Sequence, residues 1–171
     1  MGACISINEV AIPQSQTKEE EFYRLCTDIN TPCFSYQHVR KVVKVLRVVD
    51  GDTIDIAMSH DNKQVFKHRV RLYGIDTPEK KPLKTNPNRE REIEAAKQAS
   101  KAMVDKLQES NNMVTILFYK NDKYGRLMGT LYDRNGEDIN QWMVKNGYAV
   151  SYFGKTKKAY EDSDEEKKDD V

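Results

Sequence analysis

Three stretches of the chain alternate apolar and polar residues with a period of two. Val39 to Val49 interleaves β-branched residues with Arg and Lys, Thr53 to Met58 sets Ile54 and Ile56 on one face, and Val65 to Tyr73 continues the alternation. Each pattern predicts a strand with one apolar face. Ser59-His60-Asp61-Asn62-Lys63 reads as the hairpin turn between the second and third. The period then changes. From Arg89 to Glu109 the residues Ile93, Ala96, Ala99, Met103 and Leu107 recur at three- and four-residue steps with no Gly or Pro between them, which predicts one long helix. Val114 to Tyr119 and Leu127 to Tyr132 return to strand composition, joined by a turn over 121–126, and Asp133-Arg134-Asn135-Gly136 turns the chain again. Ile139 to Lys145 reads as a short helix that Asn146-Gly147 ends, with Gly147 just past its C-terminus.

Before these elements, Phe22, Leu25, Cys26 and Ile29 fall at helical spacing, so an amphipathic helix is predicted from Thr17 to Ile29. Thr17 stands as its N-cap ahead of Glu20, and Thr31-Pro32 ends it. Packing onto the main domain is its expected role. Residues 7–17 are polar and read as a linker. Lys80 to Asn88 holds two prolines and three lysines and predicts a mobile basic loop. Five strands, one long helix between the third and fourth and a shorter helix after the fifth give the order of an OB-type β-barrel in an α+β domain. The expected organisation is an N-terminal extension over 1–37, a domain over 38–154 and an acidic, disordered tail over 155–171.

Charge sharpens this division. Residues 161–171 carry seven acidic and two basic side chains and residues 1–37 five acidic and two basic, which leaves 38–160 with 24 basic against 15 acidic. The overall formal charge of +1 therefore hides a basic domain between acidic ends. Such a domain favours a polyanionic partner, unless the lysines merely solvate its surface. At 171 residues the chain has room for one ordinary core, and no apolar run is long enough to span a bilayer. No basic start leads into an apolar secretory core, so an intracellular monomer is expected. Cys4, Cys26 and Cys33 have no zinc spacing and form no ligand set with His38, His60 and His68, so a reducing compartment fits better than a disulfide framework.

The candidate chemistry sits where the strands end. Val70 to Glu79 reads Val-Arg-Leu-Tyr-Gly-Ile-Asp-Thr-Pro-Glu, and Pro78 biases Thr77 out of helical geometry and breaks the strand. In a regular strand Val70, Leu72, Gly74 and Asp76 would share one face and Arg71, Tyr73 and Ile75 the other. A second acidic turn, Val49-Asp50-Gly51-Asp52-Thr53, lies upstream, and a basic, aromatic turn, Asp122-Lys123-Tyr124-Gly125-Arg126, lies downstream. Asp52, Asp76 and the Thr77 carbonyl are hard oxygen donors suited to one divalent ion, or else they only shape turns. Glu79 is placed to reach the ion's water or an attacking water. Arg71 and Arg126 can each donate two hydrogen bonds to a phosphate, or pair with Asp76 or Glu79. Lys123 and Tyr124 suit a terminal phosphate. Tyr152 or Phe153 can stack a base or close the core.

Together the three motifs resemble the staphylococcal nuclease (thermonuclease) family over roughly 40–154, and Asn140 through Gly147 fits that family's later helix. The resemblance implies a calcium-dependent nuclease on an OB barrel, with one Ca2+, cutting DNA and RNA to 3′-phosphate products. It implies Asp52, Asp76 and the Thr77 carbonyl as calcium ligands, Glu79 as general base, Arg71 and Arg126 as phosphate clamps, and Lys123 and Tyr124 beside the end phosphate. Three features depart from the bacterial enzyme. The late tyrosines align imperfectly with Tyr152 and Phe153, an acidic stretch replaces the C-terminal helix, and residues 1–37 have no counterpart there. Two other readings stand beside it: a non-catalytic OB-fold nucleic-acid-binding module, and a membrane-tethered adaptor.

Gly2 followed by Ser6 matches the N-myristoylation pattern and Cys4 is placed for palmitoylation, a feature the family shares with some eukaryotic members. Two acyl chains anchor stably where one does not. Gly2→Ala is expected to move the protein from the membrane to the soluble fraction on cell fractionation. Equal partition of variant and parent rejects the anchor.

Overall fold

The computed structural model describes residues 14–60 and 64–154, and the side chains of 14–17 and 19 are not among those described. Gly2, Cys4, the centre of the predicted hairpin turn and the acidic tail lie outside the described residues. The chain divides into two units, Met1–Ser35 and Tyr36–Val171. The first holds α1 (Gln14–Tyr23). This corrects the predicted helix: α1 starts before Thr17, which lies inside it and is no N-cap, and it stops six residues short of Ile29. Reciprocal side-chain bonds account for the early end. Thr27 N–H donates to Asn30 Oδ1 at 2.7 Å, Asn30 N–H donates to Thr27 Oγ1, and Asn30 Nδ2 donates to the Leu25 carbonyl. These satisfy backbone groups outside helical geometry and so compete with the helix. Phe22, Leu25 and Ile29 are exposed and make no buried stripe.

The second unit is the barrel. Its strands are β1 (Arg40–Asp50), β2 (Thr53–Ser59), β3 (Val65–Leu72), β5 (Met113–Tyr119) and β6 (Leu127–Tyr132). They close in the order β1-β2-β3-β6-β5, antiparallel except for the parallel β3–β6 pair. α2 (Arg89–Gln108) follows the third strand and α3 (Ile139–Lys145) follows β6, as the sequence order predicts. Ile54, Ile56, Val70, Leu72, Ile116, Phe118 and Leu131 fill the interior, and Met103 and Leu107 of α2 and Ile139 and Met143 of α3 join the same core. Alternation places these residues inside because successive strand side chains face opposite ways.

Periodicity did not reveal a small second ladder. β4 (Ile75–Asp76) pairs antiparallel with β7 (Val150–Ser151). It forms because the chain does not run on from β3 as a regular strand. Gly74 takes a φ of 77°, a left-handed geometry that glycine adopts at little cost. The break resets the alternation, so Ile75 and Asp76 are both buried. The basic loop after it is pinned at both ends. Lys80 Nζ donates to the Val49 carbonyl and lies 3.4 Å from Asp50, and Asn86 Nδ2 donates to Glu92 at 2.6 Å.

One charged residue on the barrel's outer wall is unexpectedly enclosed. Asp55 faces outward from β2 between Ile54 and Ile56, yet it is only 1 % exposed. Arg69 Nε donates to its Oδ1 at 2.8 Å, Arg47 Nη2 donates to Oδ2 at 2.7 Å, and Lys67 stands 3.5 Å away. The Arg69 hydrogen bond holds the Asp55 carboxyl far below the usual carboxylate range; burial opposes this, and Arg47 and Lys67 reinforce it. A depressed folded-state pKa gives stability that is complete above the unfolded value of ~3.9 and is lost as the pH falls toward the folded value. Asp55→Asn is expected to cost about 1–3 kcal/mol at pH 7, less than a fully buried pair because all three cations stay half in water. The gap to the parent should narrow below about pH 4. A gap in urea denaturation that stays constant from neutral to acid pH would show that Asp55 adds no charge-dependent stability.

Candidate active site

The upstream acidic turn closes the β1–β2 hairpin, and Gly51 lets it seat tightly. A Cβ built there would lie 2.9 Å from Thr77 Cγ2 and 3.1 Å from Ala99 of α2. Only a residue without a side chain allows this turn, the Asp76-Thr77 turn and the helix to meet. Asp52 is thereby buried against Thr77. Its Oδ2 accepts from the Thr77 backbone N–H and hydroxyl, each at 3.0 Å, and its Oδ1 accepts from the Thr53 hydroxyl at 3.0 Å.

Arg71 joins the two acidic turns. Its Nη1 is ion-paired with Asp52 Oδ2, and its Nη2 donates to Asp76 Oδ1 at 2.6 Å and toward the Ile75 carbonyl at 3.4 Å. A regular strand would have put Arg71 and Asp76 on opposite faces; the break at Gly74 brings them together. The pairing of Arg71 with Asp76 is the ion pair the sequence offered as one alternative, with Asp52 added. The Arg71 side chain is 15 % exposed.

Glu79 lies two residues beyond Thr77, exposed, and its backbone N–H donates to Glu92 Oε1 at 3.1 Å. Glu92 itself is buried in the first turn of α2 and also takes the Asn86 amide. It was missed in the sequence, though it sits one turn before Ala96 on the apolar stripe. Among the described residues, no three acidic, histidine or cysteine side chains gather around one point.

The basic turn is organised by Asp122. Its Oδ1 accepts the backbone N–H of Tyr124 and of Arg126, and its Oδ2 accepts Arg126 Nε at 2.6 Å. Burial pushes the Asp122 carboxyl up, but the Arg126 and Tyr124 donors more than reverse this, and the net shift is downward. Arg126 and Lys123 both lie over the Tyr124 ring, 5.6 and 5.0 Å from its centre. Arg126 precedes Leu127, which pairs with Val70, while Arg71 pairs with Met128. Register therefore sets the Arg126 backbone within two strand positions of Arg71. The Arg126 side chain itself is held by Asp122 and the Tyr124 ring, while Asp52 and Asp76 hold Arg71.

Tyr152 stands at the far edge, where its N–H donates to the Gly74 carbonyl at 2.9 Å, and it is half-buried. Phe153 does not close the core. It is exposed, packs over Gly74 and meets Tyr73, whose ring stacks on Tyr119 at 4.3 Å. Asn140 of α3 stitches this edge together. Its Nδ2 donates to the Tyr73 carbonyl at 2.9 Å and to the Gly129 carbonyl, and its Oδ1 accepts Leu131 N–H. The role of Asn140 as the tie beneath the Arg71 turn was also unread in the sequence. Lys106 holds α2 near α3 by pairing with Glu137 at 2.8 Å and with Asp133.

A family model described as "Staphylococcal nuclease homologue" matches residues 69–170. An "Uncharacterized endonuclease" of Escherichia coli is 34% identical over 109 residues, covering 64% of this chain and 60% of that protein. "Endonuclease YhcR" of Bacillus subtilis is 32% identical over 108 residues, 63% of this chain and 8% of its own length. "Staphylococcal-like nuclease CAN1" of Arabidopsis thaliana is 31% identical over 104 residues, 60% of this chain and 28% of its own. The chain thus spans about 60% or less of these relatives.

Asn140→Ala leaves the Tyr73 carbonyl and the Leu131 N–H without these partners, while the Gly129 carbonyl keeps the Tyr73 N–H. The substitution is expected to lower the unfolding free energy by about 1–3 kcal/mol. A loss below about 0.5 kcal/mol in urea denaturation, the level of an ordinary surface change, would show that these ties are dispensable.

Proposed function

The chain belongs to the staphylococcal nuclease homologue family, and on that premise we propose that it is a calcium-dependent nuclease that hydrolyses the phosphodiester bonds of DNA and RNA. The observation that carries this reading is the seating of the Arg71 guanidinium between Asp52 and Asp76 beside Thr77. Two buried carboxylates meet there beside the Thr77 backbone, and all the oxygens are hard donors. That set fits one Ca2+ held by Asp52, Asp76 and the Thr77 carbonyl, with water completing the shell. The ion, when bound, supplies Lewis-acid polarisation of the phosphoryl oxygen.

The chain's own groups do the rest. Arg71 and Arg126 donate to the non-bridging oxygens of the scissile phosphate, where negative charge grows in the transition state. Glu79 takes a proton from the attacking water. The P–O5′ bond breaks, giving a 3′-phosphate and a 5′-hydroxyl whose oxygen takes up a proton, with Arg126 beside it. Lys123 and Tyr124 hold a neighbouring phosphate, and Tyr152 borders the base. Asp122 keeps Arg126 pointed before substrate arrives, so little reorganisation is needed at the moment of reaction. Dual acylation at Gly2 and Cys4 would carry the enzyme to an intracellular membrane.

Purified protein is expected to cleave denatured DNA and RNA with calcium and to lose that activity in chelator. Arg126→Ala is the cleaner variant because the side chain is exposed and outside the core; its kcat is expected to fall about 10²–10³-fold. Asp52→Asn should also be nearly inactive, with folding checked by circular dichroism. Undiminished cleavage by both folded variants refutes the assignment.

A further inference from the structure

The outer wall of β1–β3 carries a feature that the catalytic reading leaves unused. Register stacks three rows across these strands. Thr53 pairs with Arg71; Arg47 and Arg69 flank Asp55; Lys44 and Lys67 flank Ala57. Successive rows lie two residues apart on β2 and β3, or about 6.6 Å, and a register shift between Val45 and Arg47 brings Lys44 and Arg47 of β1 into the same rows. The flanking residues lie about 10 Å apart across two strand spacings. The side chains of Arg47, Lys67 and Arg69 are 60 %, 63 % and 50 % exposed, whereas that of Asp55 beneath them is 1 % exposed. Lys44 is exposed as well.

The result is a trough with two cationic rails and a floor of Asp55 and the small Ala57. Its first row, at the acidic turns, has Arg71 on β3 across Thr53 from Asp50 on β1. Four cations over one enclosed carboxylate leave the surface strongly positive. Asp55 also fixes how that charge is presented. By taking Arg69 through two nitrogens and Arg47 through one, it orients both guanidiniums and leaves their other N–H groups toward solvent. A planar guanidinium fixed in this way matches phosphate oxygens better than a loose point charge does.

We infer that this trough is a second binding site of the chain: it takes the phosphates of a single nucleic-acid strand flanking the one held at Arg71. The inference rests on the nuclease reading for the position of the scissile phosphate. Three features favour a polynucleotide over an anionic membrane surface. The rails repeat along one direction on the scale of a nucleotide, their width admits one strand, and the β3 rail of Lys67, Arg69 and Arg71 runs on to the acidic turns.

The test uses the full chain and two double variants, Arg47→Gln with Arg69→Gln, and Lys44→Gln with Lys67→Gln. The second keeps both guanidinium pairs to Asp55 and so guards against a misfolded first. Binding of a fluorescent 12-nucleotide single strand in chelator is followed by anisotropy across salt concentrations. Cleavage with calcium is compared between a dinucleotide and the 12-nucleotide strand. Each double variant is expected to flatten the plot of log affinity against log salt by about 1.4, two contacts at ~0.7 each for single strands. Each should also shrink the gain in kcat/KM that the parent shows with the longer substrate, mainly through KM. Unchanged salt slope and unchanged length gain in the folded variants overturn the proposal. So does loss of binding to phosphatidylserine vesicles with the oligonucleotide slope intact, which assigns the trough to a membrane. If the parent cleaves nothing, the nuclease reading fails by itself, while the anisotropy slopes still decide the trough.

Discussion

Most of the site geometry depends on one ion cluster: the Arg71 guanidinium held between Asp52 and Asp76. Charges taken from water need partners, and removing one member of such a set leaves another exposed to the full desolvation cost. The cluster therefore fixes three separate pieces of chain at once. Asp52 arrives on the β1–β2 hairpin, Arg71 near the end of β3 and Asp76 on β4. None of these could shift alone without leaving a buried charge unpaired. Two glycines make the arrangement sterically feasible. Gly51 lets the hairpin touch Thr77 and α2, and Gly74 turns the chain so that Asp76 comes back over Arg71.

The barrel was legible from the sequence because its strands alternate cleanly and its helices have long apolar stripes. Asp52, Arg71 and Asp76, which the structure brings together, stood out in the sequence for a different reason. They fall where the alternation stops, and polar residues at a strand junction have few structural duties to explain them. The misreadings share a cause as well. Placing Arg71 and Asp76 on opposite faces assumed a regular strand, and one left-handed glycine undid that. The helix from Thr17 to Ile29 was too long because spacing records apolar stripes and not the side-chain bonds of Thr27 and Asn30.

Other residues could not have been assigned by spacing at all. Asn140 acts on the carbonyls of Tyr73 and Gly129, 67 and 11 residues away in the chain. Glu92 acts on the backbone of Glu79, and the β4–β7 pair depends on where the chain returns after α3. Backbone groups carry no residue-specific signal, so a side chain that serves them looks like any polar residue on an amphipathic helix. Asp55 was hidden in the opposite way. An acid at an outward strand position looks solvated until cross-strand register brings Arg47 and Arg69 over it.

The same device recurs at four arginines of the barrel unit, whereas Arg40 of β1 lies over the Tyr132 ring. Asp52 and Asp76 hold Arg71, Asp122 holds Arg126, and Asp55 holds Arg47 and Arg69. Each carboxylate subtracts from the positive field and so weakens long-range attraction for a polyanion. In return it removes rotamer freedom that would otherwise be lost on binding, and it does so in the folded state. A long arginine has much of that freedom to lose, so pairing favours geometry over reach. The lysines are placed the other way. Lys44 and Lys123 keep exposed positions beside the fixed arginines, where a mobile point charge adds attraction without setting direction. The division of labour between the two cations follows from their side-chain chemistry, and cross-strand register and tight turns put each in its place.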